Sequence, residues 1–223
     1  MASATSAPIS SSNDAQPRVE SSTTASSNVA VAGSRPPLEI HPTAHLDPQA
    51  YVQGTFTITL GPNVVVHPRA RLVSVHGPVM IRAGTVISER CVVGGPAPDP
   101  KAPPLTPPEV PLMTEIRHNV MLHASAEIQA GVYLDEACLI EPRAVVQKGV
   151  NIGKHCKVCA ACVVDRSVRE WTVVWGDGQR RRIRTGVADP ENGRLKALEI
   201  EREATAGLLK AAAAKATLGK RRG

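Results

Sequence analysis

Between Ile116 and Val163 an aliphatic residue returns at every sixth position through eight consecutive segments: IRHNVM, LHASAE, IQAGVY, LDEACL, IEPRAV, VQKGVN, IGKHCK and VCAACV. Ile116, Leu122, Ile128, Leu134, Ile140, Val146, Ile152 and Val158 open them. Four residues further on stands a small or β-branched side chain: Val120, Ala126, Val132, Cys138, Ala144, Val150, Cys156 and Cys162. A period of six is neither the 3.6 of a helix nor the plain alternation of an isolated strand. It is the hexapeptide pattern of a parallel β-helix, in which three short strands close one triangular coil. Residues 18 apart then stand above one another at about 4.8 Å. Ile116, Leu134 and Ile152 form one interior column, and Leu122, Ile140 and Val158 a second. Cys138 lies beneath Cys156 in a column of small residues.

The same frame extends upstream with interruptions. IHPTAH, LDPQAY and VQGTFT make a coil from Ile40, with Ile58 and Thr59 extra. LGPNVV, VHPRAR and LVSVHG make the next, with Pro78, Val79 and Met80 extra. IRAGTV, ISERCV and a side from Val93 complete a third. The insertions fall between coils, where they read as corner loops. Residues 94–112 carry eight prolines, which deny a strand ladder its donors, so this stretch reads as an ejected, partly polyproline loop. VREWTV (168–173) reads as a last rung closing at Val174, Trp175 and Gly176, with the two tryptophans as a plug over the open coil. The expected organisation is a disordered tail over 1–37, a β-helix over 38–188 with the proline loop at 94–112, a helix over 190–218 and a basic tail over 219–223. The helix is predicted from Leu195, Leu198, Leu208 and Leu209 among Ala, Glu, Lys and Arg, folded against the prism to cover its end.

Composition sharpens this. Aromatics are 2% of residues against 42% hydrophobic, too few for a common globular core but suited to a narrow prism of Val, Ile, Leu, Ala and Cys. Residues 1–37 are rich in Ser, Thr, Ala and Pro and cannot bury enough surface to offset their ordering entropy. A mitochondrial transit segment is the competing reading there, with Arg18 and Arg35 its only cationic side chains. No apolar run approaches the roughly 20 residues that span a bilayer. The net charge is +6, dispersed except near the C-terminus, and without interleaved aromatics it gives no nucleic-acid signature. Five cysteines, an odd number set inside repeats with no secretory signal pattern, predict reduced thiols.

Several residues invite chemical readings. Cys156-x-x-Cys159-x-x-Cys162 has the spacing of a metal site, but the frame puts Cys156 and Cys162 on adjacent faces and Cys159 at another phase. EIRHNVMLHAS (115–125) resembles the two-His segment of γ-class carbonic anhydrases, which hold zinc with three His between prisms. That resemblance marks His118 and His123 as zinc ligands. The third ligand follows a rung resembling IRAGTVISERCVV (81–93), where this chain has Gly94. The hexapeptide acyltransferases, which use a His base, offer His67, His123 and His155 by residue type alone.

The run LGPNVVVHPRARLVSVHGPVMIRAGTVISERCVV (60–93), the proline loop, the rung VREWTVVWGDGQRRRIRT (168–185) and a C-terminal helix together resemble the dynactin subunit 6 family. The likeness covers residues 40 to about 215 in the same order. It implies an all-β solenoid, a left-handed parallel β-helix of hexapeptide repeats with a C-terminal α-helix. It also implies a non-enzymatic role in the cytoplasm and cytoskeleton: a pointed-end complex subunit supporting dynein-driven microtubule transport and cargo attachment. Implied partners are dynactin subunit 5, the actin-related protein at the filament pointed end and dynactin subunit 4, with dynein engaged indirectly. No catalytic, cofactor-binding or metal-ligating residue is assigned, and no nucleic-acid binding or membrane insertion is expected. Outward arginines are the expected partner contacts: Arg69, Arg71, Arg82, Arg180, Arg181 and Arg182. Thr106, ahead of Pro107, is the candidate phosphorylation site.

Overall fold

A computed structural model describes residues 35–96, 110–178, 180–183 and 188–220. Most of the segment expected as a tail, the proline stretch over 97–109 and Thr106 within it lie outside the described residues. The chain winds a left-handed parallel β-helix. Its first coil is β1 (Leu38–Ile40), β2 (His45–Leu46) and β3 (Tyr51–Gly54); the second is β4 (Ile58–Leu60), β5 (Val65–Val66) and β6 (Arg71–Ser74). The third is β7 (Val79–Ile81), β8 (Val86–Ile87) and β9 (Val92–Val93); the fourth is β10 (Thr114–Ile116), β11 (Met121–Leu122) and β12 (Glu127–Ile128). The fifth is β13 (Tyr133–Leu134), β14 (Leu139–Ile140) and β15 (Val145–Val146), and the sixth β16 (Asn151–Ile152), β17 (Lys157–Val158) and β18 (Val163–Val164). Every third strand stacks into one sheet, which gives the prism three faces.

The registers follow the interior columns. Ile81 pairs with Ile116, Ile116 with Leu134 and Leu134 with Ile152; Leu122 pairs with Ile140 and Ile140 with Val158. These side chains have essentially no exposure, and burying each contributes about 1.5–3 kcal/mol. The upstream insertions are not corner loops. Ile58 pairs with Leu38 and Val79, and Val79 with Thr114, so the extra residues lengthen the strands of the first face. Strand alternation is the cause: Ile58 and Leu60 both point inward around Thr59, and the added pairs gain burial.

The corners turn through left-handed backbone at Asn63, Arg69, Arg90, Asn119, Ser125, Ala137, Arg143, His155, Ala161 and Trp171. Trp171 is therefore a corner residue, stacked on His155 with ring centroids 4.1 Å apart, and not a plug. Val168 and Val174 fill the interior of the final rung instead. Beyond it β19 (Thr172–Trp175) turns back antiparallel into β20 (Arg180–Ile183), which covers the edge of the second face. The turn requires Gly178, since a Cβ there would overlap the Val163 carbonyl.

The helix α1 (Ala188–Lys220) does not cover the end of the solenoid. It lies lengthwise on the second face. Leu198, with Ala206 and Leu209, packs on the outward residues Val65, Val86, Met121 and Leu139, one from each of four successive coils. It starts beside the later coils, where Arg194 reaches the Ala137 carbonyl, and runs back to the third, where Arg202 reaches that of Gly84. Those outward positions are apolar, so the face needs a cover that the interior does not.

A candidate interaction surface

The histidines that the carbonic anhydrase and acyltransferase resemblances bring up form no metal-holding group among the described residues. His118 is 43% exposed and faces Glu136 across 3.4 Å, on a corner that also carries Lys154. Gly94 follows β9 with φ +94°, and a Cβ there would overlap the Val73 carbonyl oxygen. No histidine fits that backbone, so the third zinc ligand has no place to stand. Among the described residues no group of three His, Cys, Asp or Glu side chains is placed to hold a metal ion. His67 is half-buried beneath the helix, and desolvation lowers its pKa against the pull of Glu89 and Asp47.

His155 has the acid partner that spacing could not supply. Its Nδ1 lies 3.1 Å from Oε1 of Glu191, which is 2% exposed at the start of α1. Arg194 donates from Nε to both oxygens of that carboxylate at 3.1 Å and from Nη2 to the Ala137 carbonyl at 2.7 Å. With Trp171 against the ring, this group pins the helix to the prism. A buried carboxylate so close to a guanidinium is neutralised in place.

The thiols serve the coils. Cys91, Cys138, Cys156 and Cys162 are buried, and each donates to a carbonyl of the following turn: His123 at 3.0 Å, Gly153 at 3.1 Å, Arg169 at 2.9 Å and Gly176 at 3.1 Å. Burial pushes the Cys91 thiol up to about 12. Hydrogen bonding to Cys156 and burial raise Cys138, and burial raises Cys159 and Cys162. Thiols held protonated in this way are poor metal ligands.

The arginines divide into two groups. Arg82 donates from Nε to Glu115 at 3.2 Å, and Arg117 flanks the same carboxylate at 3.4 Å. Arg181 clamps the carbonyls of Ser167 and Arg166 at 2.9 and 3.2 Å, which ties β20 to the last rung. Arg180 and Arg182 stand in the same strand, and Arg182 is exposed. Arg69 and Arg71 are different. Both are exposed on the third face and its corner, and they line a cleft of about 360 Å³ with Tyr51, Arg90 and Val92. The Arg71 guanidinium lies 5.5 Å from the Tyr51 ring centre. Sequence reasoning missed Arg90 and Tyr51. The signal was present: Arg90 repeats Arg69 at the 21-residue step that takes Val66 to Ile87.

A prism wound from hexapeptides, closed by a hairpin and clasped lengthwise by a helix, defines the class: this is a hexapeptide-repeat left-handed β-helix protein. No protein-family model matches the chain. Among curated proteins it is similar to dynactin subunit 6 of Xenopus tropicalis, 29% identical over 146 residues that cover 62% of this chain and 68% of that protein. Dynactin subunit 6 of Danio rerio is 28% identical over 140 residues, covering 62% and 71%. The resemblance read from the repeat interruptions thus holds at the level of aligned sequence. Among solved structures, a hexapeptide transferase family protein from Anaplasma phagocytophilum superposes with a TM-score of 0.60 at 14% identity, covering 79% of this chain and 96% of that one. A putative acetyltransferase from Bacillus cereus gives 0.58 at 13%, covering 78% and 97%. At such identities these two speak for the fold alone. Among the described residues no helix is long and apolar enough to cross a membrane.

Proposed function

We propose that this chain is a non-catalytic subunit of dynactin, acting as a protein-interaction scaffold in the pointed-end complex. The observation that carries the reading is the match to dynactin subunit 6, at 29% identity over 146 residues. The site chemistry supports it. Gly94 stands where a zinc ligand would be needed, and His155 is committed to holding the helix. Its partners would be dynactin subunit 5, the actin-related protein at the pointed end and dynactin subunit 4. Its role would be to support dynein-driven transport and cargo attachment in the cytoplasm. Rigid stacked faces bearing exposed arginines suit such assembly, with Arg69, Arg71 and Arg182 free to meet partners. Affinity purification from the native cell tests this: the dynactin actin-related proteins should co-elute, and their absence would defeat the proposal.

One observation favours a transferase instead. His155 is oriented by Glu191, as a general base needs. That reading requires acetyl-coenzyme A turnover abolished by His155→Ala, whereas the scaffold reading expects no turnover in either protein.

A further inference from the structure

We infer that the cleft formed by Tyr51, Arg69, Arg71, Arg90 and Val92 is a docking site for an acidic polypeptide segment of a partner, held through its carboxylates. The cleft is about 360 Å³. Register places Tyr51, Arg71 and Val92 side by side on three successive strands of the third face. Arg69 and Arg90 occupy the same corner position one coil apart, which sets their backbones about 4.8 Å from each other. Both sit in left-handed backbone, φ 60° and 58°, within hydrogen-bonded turns. Their Cα positions are therefore set by the coil before any ligand arrives.

Three exposed guanidiniums crowd this small area, and none has an ion pair among the described residues. Arg82 and Arg117, by contrast, share Glu115, and Arg194 holds Glu191, while Arg143 and Arg169 also have no ion pair among the described residues. The acids nearest in sequence and register are Glu89, beside Arg90 in its turn, and Glu127, one strand beyond Val92. Glu127 accepts from the Gln129 amide at 3.0 Å. Mutual repulsion among the three arginines falls when a carboxylate enters, and the planar fork of Arg suits a bidentate contact.

The chemistry favours a polypeptide over a small anion or a membrane. Four of the five lining residues already use their backbone N–H: Tyr51 N donates to Ala70 O at 2.8 Å, Arg69 N to Gln49 O at 3.1 Å, Arg71 N to Cys91 O at 2.8 Å and Val92 N to Ala126 O at 2.9 Å. Tyr51, 53% exposed, and Val92 give the cleft an apolar floor for the aliphatic stems of Glu or for neighbouring residues. Tyr51 is the single exposed large apolar residue of its lining, so the site has little to insert into a bilayer.

The inference rests on the scaffold reading only in expecting a protein partner, and its test is independent of dynactin. A fluorescein-labelled oligoglutamate peptide is titrated into the full-length protein by anisotropy. An oligoglutamine peptide and phosphatidylserine-containing vesicles serve as comparisons. Arg71→Glu, and the pair Arg69→Gln with Arg90→Gln, should each weaken oligoglutamate binding about tenfold. Arg143→Glu removes an exposed arginine from the same corner two coils beyond Arg90, and it should leave binding unchanged. Tyr51→Ala should weaken binding less than Arg71→Glu. Equal losses in all variants would mean non-specific attraction to a cationic chain and would overturn the site. So would a peptide that fails to bind, or vesicles whose binding alone depends on Arg71. Failure here would leave co-purification with dynactin standing, and failure of co-purification would leave the peptide result standing.

Discussion

The interior of the prism and the seat of its helix are built by opposite rules. Inside, thirty side chains form one continuous apolar cluster, filled by stacking like on like at every coil. At the helix seat, the buried apolar residues among those described are Leu198 of the helix and three beneath it, Val65, Val86 and Met121, and charged groups make the attachment: Glu191 with Arg194 and His155, and Arg202 on the Gly84 carbonyl. The first interface is redundant, because neighbouring coils supply the same contact many times. The second hangs on a few groups, each without a substitute. A repeat can therefore be long and dry, whereas a single helix laid on it needs polar groups to fix where it sits.

The largest effect should come from the interior. Leu134→Ala removes a fully buried side chain between Ile116 and Ile152, and should cost about 2–5 kcal/mol in urea unfolding. A loss below 1 kcal/mol would mean that the columns are not close-packed. Next comes the helix seat. Glu191→Ala strips Arg194 and His155 of their shared acceptor and should cost about 2 kcal/mol. The contrast lies in where the loss appears: hydrogen exchange should quicken along residues 188–220 while the prism amides keep their protection. Uniform quickening would mean that helix and prism open together.

Acidification should loosen the same seat by a smaller amount. His45 and His67 lie beneath the helix beside Asp47, Glu89, Glu201 and Lys210, and burial lowers both pKa values from 6.5. The folded state then binds fewer protons than the unfolded state. The stabilisation is complete above about pH 6.5, falls as pH drops through that value, and levels off below the lowered folded pKa. His45→Gln with His67→Gln should flatten the melting temperature across pH 7 to 5. The smallest effect is chemical. Iodoacetamide at pH 8 should label Cys159, the partly exposed thiol, ahead of Cys91, Cys138, Cys156 and Cys162, with all five reacting on denaturation. Early labelling of Cys138 would show that the coils open more readily than their packing implies.

What the sequence disclosed and what it hid follow from the same contrast. Columns such as Ile116–Leu134–Ile152 were legible because each hexapeptide states its own inward positions, and the resemblance in the interruptions pointed to the right relatives. Ile58 and Val79 looked like surplus at a corner, because a six-residue frame does not record that a strand can lengthen by two and keep its alternation. The hairpin at β20 was announced by Gly176-Asp177-Gly178 but was read as the end of a rung. The helix was visible by composition. Its seat was not, since Glu191, Arg194 and Arg202 find their partners 36, 57 and 118 residues away. Arg90 was missed because only a stacked view sets it over Arg69.

The direction of α1 has one more consequence. A bare stack of coils is a row of dominoes, each unit aware only of its two neighbours, and such rows fray from their ends. A helix of 33 residues is about 50 Å long, twice the roughly 24 Å from the first coil to the sixth. Laid back along the second face, it buckles the row from the last turns to the earliest ones. While it stays seated, coils far apart in the row share one strap, a link that stacking alone does not give them.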